Sequence, residues 1–446
     1  MNDSIQLYVI INAGLYSITF LLYYRKYGFN ASSYLLLIWA LSALCSIYFY
    51  NSGVRNYSKL TLTPFLYLYF VVLLSFVPIL KFTSEIVNTI DANKKVVSAL
   101  AYFLVLVSCE PLLENLYLVA KTFDGNASLY ISEVYDAQAT GEKNVGDSIN
   151  QGMTWLGRKL NVINIYAKDL IPILFFYFLT LGKKNKFLIY GLGVAMLNPI
   201  LHSYVHAVRV GIVTQLFYIV YLFILFKNSI DTKIYKKVLV LGGSIGGGIA
   251  LLVILITIFR YENDAGMVYP ILDWISLYIG EGMLNFNSQM WDVKISMLGD
   301  SSFPLLKYVL GLDTFTDNLD NRTYWGARTG INMMVFNTFI GDFYADMGAL
   351  GTLIFILLVS TVLLRYIRVK KEVPLHRVVL LSIWFKVCLL GFTYYTFKVF
   401  TSNLYLLFMI LIYFVLKISH KKKKMRKYPI PPKLDRAIES QSLTNN

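Results

Sequence analysis

The sequence predicts an all-α, polytopic transmembrane helical bundle, and three observations carry that prediction. Of the 446 residues, 57% are hydrophobic and only 15% are charged, against about 25% charged in an ordinary soluble domain. The apolar residues do not alternate with polar faces but fill runs of roughly 17–25, each able to cross about 30 Å of hydrocarbon. Most of the 41 Lys and Arg residues gather in short loops between those runs and in one tail. A soluble enzyme, a secreted disulfide scaffold and a disordered chain are all excluded.

About eleven spans follow in order, over 5–24, 32–50, 61–80, 98–120, 163–182, 187–204, 210–226, 238–259, 342–364, 378–397 and 402–418. The first has no cleavage-site pattern and is followed by further spans, so it reads as a helix and not as a removed signal peptide. The run Gly242-Gly243-Ser244-Ile245-Gly246-Gly247-Gly248 lies within the eighth span. It lacks the Lys-Ser/Thr ending of a phosphate loop, and its small residues are expected to let helices approach closely.

Orientation follows from the basic loops. Arg25 and Lys26, Lys81 with Lys94 and Lys95, Lys183 with Lys184 and Lys186, the 227–237 lysines, and the 365–377 cluster fall in alternate loops with the tail Lys421-Lys422-Lys423-Lys424-Met425-Arg426-Lys427. Cytoplasmic loops carry this excess. The C-terminus is therefore expected in the cytoplasm and the N-terminus outside, which requires an odd number of spans. Residues 1–420 form one membrane domain, and 421–446 a basic cytoplasmic tail. The formal net charge of +15 belongs to this pattern and to attraction for anionic lipid, so no nucleic-acid partner is expected. Cys45, Cys109 and Cys388 all lie in apolar runs and read as packing residues.

Two long loops, 121–162 and 260–341, then face outward. Loops of that length in a compact protein are usually functional. Stretches such as Met153-Thr154-Trp155-Leu156 and Tyr269-Pro270-Ile271-Leu272-Asp273-Trp274-Ile275 are expected to form short amphipathic helices at the outer interface, where Trp and Tyr are favoured.

Polar residues among apolar ones single out candidate sites. Glu110 and Glu114 share a helical face, as either a cavity lining or an anchor for other helices. Lys168 and Asp169 begin the fifth span, and Lys386 lies deep in the tenth, as a site or an interhelical salt bridge. In Leu201-His202-Ser203-Tyr204-Val205-His206-Ala207-Val208-Arg209, the spacing i, i+4, i+7 puts His202, His206 and Arg209 on one face. Two His four apart are able to hold zinc, but neither a third ligand nor an H-E-x-x-H glutamate accompanies them, and no metal is expected. Arg209 suits an anionic group, which a guanidinium grips through its fork. In the second loop Arg322 and Arg328 precede Asp342 and Asp346, which are four apart at the mouth of the ninth span. Those acids either accept a proton from a sugar hydroxyl or pair with the arginines. Glu281 and Asn285 form a second polar knot in Ile279-Gly280-Glu281-Gly282-Met283-Leu284-Asn285-Phe286-Asn287.

The architecture, the Glu281–Asn287 run, the run Thr338-Phe339-Ile340-Gly341-Asp342-Phe343-Tyr344-Ala345-Asp346-Met347-Gly348-Ala349-Leu350-Gly351 entering a span, and Arg209 opening a helix together resemble the oligosaccharide repeat-unit polymerases, the Wzy-type O-antigen and capsule polymerases of bacteria. The resemblance covers the middle and C-terminal half of the chain. It implies an inverting, metal-independent glycosyltransferase without cofactor in the bacterial inner membrane. Such an enzyme polymerises undecaprenyl-diphosphate-linked glycans at the periplasmic face, with membrane lipid and a chain-length regulator protein as partners. Carried over, Arg209 with Arg322 or Arg328 would hold the diphosphate, assisted by His202, and Asp342, Asp346, Glu281 or His206 would serve the chemistry. The chain departs from the family pattern at Val210, where a small residue commonly follows the arginine. The alternatives are an O-antigen ligase, a lipid-linked oligosaccharide transporter and an assembly scaffold. The ligase carries an essential histidine in its large outer loop, whereas the histidines here are His202, His206, His376 and His420, none within 260–341.

Overall fold

The computed structural model describes residues 3–57, 59–83, 89–124, 134, 152–261, 271–367 and 372–427. In hydrocarbon every backbone N–H and C=O must be satisfied within its own segment, and the apolar runs are accordingly helical. The first four are α1 (Asp3–Tyr27), α2 (Ala31–Ser52), α3 (Leu62–Thr83) and α4 (Lys94–Asp124). Asn30 starts α2 with a capping box, its side chain accepting from the Ser32 and Ser33 N–H groups, and Gly53 ends it in the left-handed region, where glycine adds no steric strain.

The fifth predicted span is two helices, α5 (Trp155–Ala167) and α6 (Leu170–Thr180), bent by 66°. The sixth is also broken, into α7 (Lys186–Ala195) and α8 (Asn198–Val205), with Pro199 in the first turn of the second piece. Then come α9 (Arg209–Leu225) and α10 (Thr232–Tyr261). Eight helices among the described residues are long and apolar enough to cross a membrane, and the bent α5–α6 pair would make nine. The segments predicted as the seventh and tenth spans are shorter helices, α9 and α15 (Leu375–Leu390). Among the described residues nothing packs on the glycine stripe of α10: at Gly242, Gly243, Gly246, Gly247 and Gly248 none lies within 4 Å of where a Cβ would stand.

Of the loop 121–162, residues 125–133 and 135–151 lie outside the described residues. From residue 271 the second loop contains α11 (Ile271–Ser288), α12 (Pro304–Val309) and α13 (Asn318–Thr329). At its start α11 exposes Leu272 (62%) and Ile275 (46%), within the stretch expected at the interface, and further along it enters the bundle, with residues 280–287 all buried. The flanking glycines explain this. A Cβ at Gly280 would stand 2.5 Å from the Ser46 nitrogen, and one at Gly282 would collide with the Phe392 carbonyl oxygen. Only glycine lets α11 lie this close to α2 and to the 391–399 turn.

The last elements are α14 (Thr338–Tyr366), α15 and α16 (Phe400–Lys427). The side chains of the basic tail from Lys421 onward lie outside the described residues, as do residues 428–446. Gly348, at φ +67, interrupts α14 near its first third, a conformation that favours glycine. The loops sort to two ends of the bundle. At one end, strand β1 (Thr89–Asp91) pairs in parallel with β2 (Glu372–Pro374), and the Asn93 amide reaches the Ser419 carbonyl at 3.3 Å. These join the Lys/Arg-rich loops. The other end gathers the 53–61 loop, residues 281–337 and the 391–399 turn, through Thr61 N–H to Asn287 (3.0 Å), Asn337 N–H to Thr393 (3.0 Å) and Asn403 to Ser302 (3.2 Å).

Candidate functional site

At this second end, α11 delivers Glu281 into the bundle between its two glycines, 1% exposed. A lone carboxylate there would be costly, and its partner is the guanidinium of Arg55, from the loop between α2 and α3. The Phe336 N–H also points at it, at 3.4 Å. Burial raises the Glu281 carboxyl above the usual carboxylate range, opposed by Arg55, the Phe336 N–H and Asn285. Asn285 donates to the Phe336 carbonyl at 2.9 Å and accepts from Gln289 at 3.2 Å, while the Asn332 N–H donates to Gln289 at 3.2 Å. Segment 331–337 is thus a strap pinned along one side by α11.

On the other side of the strap stand the two acids of α14. Asp342 is fully buried. It accepts the Tyr395 N–H at 2.6 Å and the Ser301 hydroxyl at 3.4 Å, and Lys398 approaches to 3.7 Å. Asp346 accepts the N–H groups of Gly299 (3.1 Å), Ser301 (3.1 Å) and Ser302 (2.8 Å). It is committed to holding that loop against α14. Asp342 instead faces cations.

Those cations line a narrow cleft. Arg322 and Lys398 share it with Ser301, Asn318 and Asn321. Burial lowers the pKa of both, and the charge of Asp342 opposes that in each case. Arg322 has a buried Nε–H without a hydrogen-bond partner among the described residues, and its Nη1 meets the Met334 sulfur at 3.8 Å. A buried guanidinium N–H left so poorly satisfied is an acceptor-seeking group. Its helix, α13, is capped by Asp317 and held by Asp300, which takes Lys307 at 2.5 Å, Thr314 at 2.9 Å and the Trp325 indole N–H at 3.2 Å.

Of the residues singled out in the sequence, Glu281, Asp342, Asp346 and Arg322 therefore converge. Arg328 does not join them. Six residues beyond Arg322 on α13, it lies exposed over the Tyr324 and Trp325 rings (5.9 and 5.7 Å) and donates to the Tyr324 hydroxyl at 2.6 Å. His202 and His206 belong to α8 and its cap, with ring centroids 4.3 Å apart and His202 Nδ1 3.2 Å from the Asn161 amide. Burial lowers the His206 pKa. Among the described residues no group of three His, Cys, Asp or Glu could hold a metal ion. Arg209 opens α9, but its side chain lies outside the described residues. Glu110 and Glu114 anchor the start of α5, binding the Thr154 hydroxyl (3.0 Å) and N–H (2.9 Å).

Arg55, Lys398 and Tyr395 are missing from the sequence reading. A signal was present: Arg55, Lys59 and Lys398 are cations in loops on the Lys/Arg-poor side, where the charge rule does not call for them. Comparison with known proteins gives no match, whether to a family model, a curated protein or a solved structure.

Proposed function

We propose that the chain is a membrane glycosyltransferase that polymerises lipid-diphosphate-linked oligosaccharide repeat units, with the Glu281–Asp342 end at the periplasmic face of a bacterial inner membrane. The N-terminus is then periplasmic and the C-terminus cytoplasmic. The observation that carries this reading is the half-buried Arg322 beside Lys398, whose buried Nε–H has no hydrogen-bond partner among the described residues, at the bundle end that the charge rule puts outside. Paired cations there suit a departing diphosphate, whose charge develops as the glycosidic bond breaks. The motif resemblance around Glu281 and Asp342 points the same way. Arg322 and Lys398 take the donor role for which Arg322 was one of two loop candidates. The cleft, about 10 Å³, has room for about one water, so it widens when the donor enters.

In the reaction, an acceptor hydroxyl oxygen attacks the anomeric carbon of the donor sugar from the face opposite the diphosphate. The new C–O bond forms as the bond to the diphosphate oxygen breaks. The lipid diphosphate leaves with that electron pair, held by Arg322 and Lys398, and the hydroxyl proton passes to the Glu281 carboxylate. Asp342 positions Lys398.

The test is polymer formation by the purified protein from lipid-linked repeat units isolated from cells lacking the chain. Wild type yields a ladder, and Arg322→Ala and Lys398→Ala each abolish it, whereas Arg328→Ala keeps it. Full ladders from both single variants would overturn the reading.

A further inference from the structure

A second cavity opens on the α11 side of the strap. Its volume is about 180 Å³, and Arg55, Tyr57, Lys59, Asn285, Ser288 and Gln289 are among its walls. At about 30 Å³ per water, that is the space of about six waters, close to one sugar ring. Its polar groups are unusual in one respect. The Tyr57 hydroxyl and the Ser288 hydroxyl are both buried and have no hydrogen-bond partner among the described residues, and Tyr57 as a whole is only 6% exposed. Buried hydroxyls are rarely left unmatched, and two on residues that line one cavity point to a ligand that both donates and accepts. The side-chain amides of Asn285 and Gln289 are spent on each other and on the strap, which leaves the two hydroxyls as the unpartnered buried groups on residues lining the cavity.

From this geometry we infer that the cavity receives a single sugar ring, the terminal residue of the acceptor oligosaccharide. This rests on the glycosyltransferase reading above. Two further relationships favour the acceptor over the donor. Arg55 and Asn285, which wall the cavity, are the groups that touch Glu281, so a hydroxyl bound here lies beside the proposed proton acceptor. The Arg322–Lys398 cleft lies across the strap, with Met333 in its wall, while Asn332 and Phe336 are tied to α11. The anion site and the hydroxyl site thus share one strap and take opposite ends of the reaction.

The experiment uses Tyr57→Phe and Ser288→Ala in the full-length protein. Each removes an oxygen that has no protein partner among the described residues, so the described fold loses no hydrogen bond. Elongation is followed with a fixed labelled donor while the lipid-linked single repeat unit isolated from cells lacking the chain is titrated as acceptor. If the cavity binds the acceptor, each variant raises the acceptor KM by about tenfold or less, the range of a single hydrogen bond, with the donor KM unchanged. Should wild type elongate while both variants keep the wild-type acceptor KM, the cavity assignment is wrong and the glycosyltransferase reading stands. Should wild type fail to elongate any lipid-linked repeat unit, the glycosyltransferase reading itself falls.

Discussion

The Lys386 ammonium of α15 lies 2.7 Å from each carboxylate oxygen of Asp169, the residue at the bend between α5 and α6. Both are buried. Lys168, next to Asp169, places its ammonium over the Tyr405 ring at 5.3 Å instead of pairing with its neighbour. The pair ties the broken helix to α15, so it acts as a clamp on a bend that the backbone alone would not hold. Lys386→Met strands a buried carboxylate and should cost about 3–5 kcal/mol. The double variant Lys386→Met/Asp169→Leu should recover most of that. Thermal unfolding in detergent, with loss of the monodisperse peak as readout, checks both. A double variant no better than the single would show that the pair does not act as a unit.

Glu281 predicts a pH dependence. Burial raises its pKa, and Arg55 pulls it down. Proton acceptance requires the ionised form, so activity falls as pH drops through the raised value, above the ordinary Glu pKa of about 4.3. Arg55→Met removes the opposing charge and moves the acid limb of kcat/KM to higher pH. The stability sign is opposite. With the folded pKa above the unfolded one, the folded state binds more protons between the two, so stability rises as pH falls through that window. An acid limb at the same pH in Arg55→Met would remove Glu281 from the role of base.

Asp342 and Asp346 are expected to separate, although the sequence presents them as a pair. Asp346 satisfies three backbone N–H groups, and Asp346→Ala leaves them buried without an acceptor, at about 1–3 kcal/mol each before relaxation. That variant should lose thermal stability along with activity. Asp342→Asn keeps an acceptor for the Tyr395 N–H and removes the charge facing Lys398, so it should unfold near the wild-type temperature and still polymerise poorly. Equal destabilisation by both would refute the distinction.

The sequence carried the helices well because composition decides them: a run such as 338–366 has few alternatives in a bilayer. It carried the breaks poorly. The bend falls on the charged pair Lys168–Asp169 and the split just before Asn198-Pro199, local signals that a reading by apolar run length passes over, and Lys386 holds the first of them from a distant helix. The site was legible where a polar residue sat inside an apolar pattern, as with Glu281 and Asp342. It was illegible where a pairing spans distant loops. Nothing local marks Arg55 as the partner of Glu281, or tells Arg322 from Arg328, until α13 turns one inward and leaves the other on its aromatic surface.

A last prediction concerns the apolar ridge next to the cleft. Val309, Leu310 and Leu312 are 71%, 63% and 54% exposed, around the end of α12. The Tyr308 ring packs edge-on against Phe400 at 5.4 Å, and Phe400 is the first residue of a membrane-crossing helix. The ridge therefore lies level with the end of that span, where side chains of this kind enter the lipid interface. An environment-sensitive fluorophore on Val309→Cys, in a Cys45→Ser/Cys109→Ser background with Cys388 buried, should emit to the blue in nanodiscs and be quenched by lipids brominated near the headgroup. The same label on Asp320→Cys, exposed on α13, should resist quenching. Water-like emission from position 309 would mean that the ridge faces solvent. In that case a lipid-linked donor would have to reach Arg322 and Lys398 by another edge of the bundle.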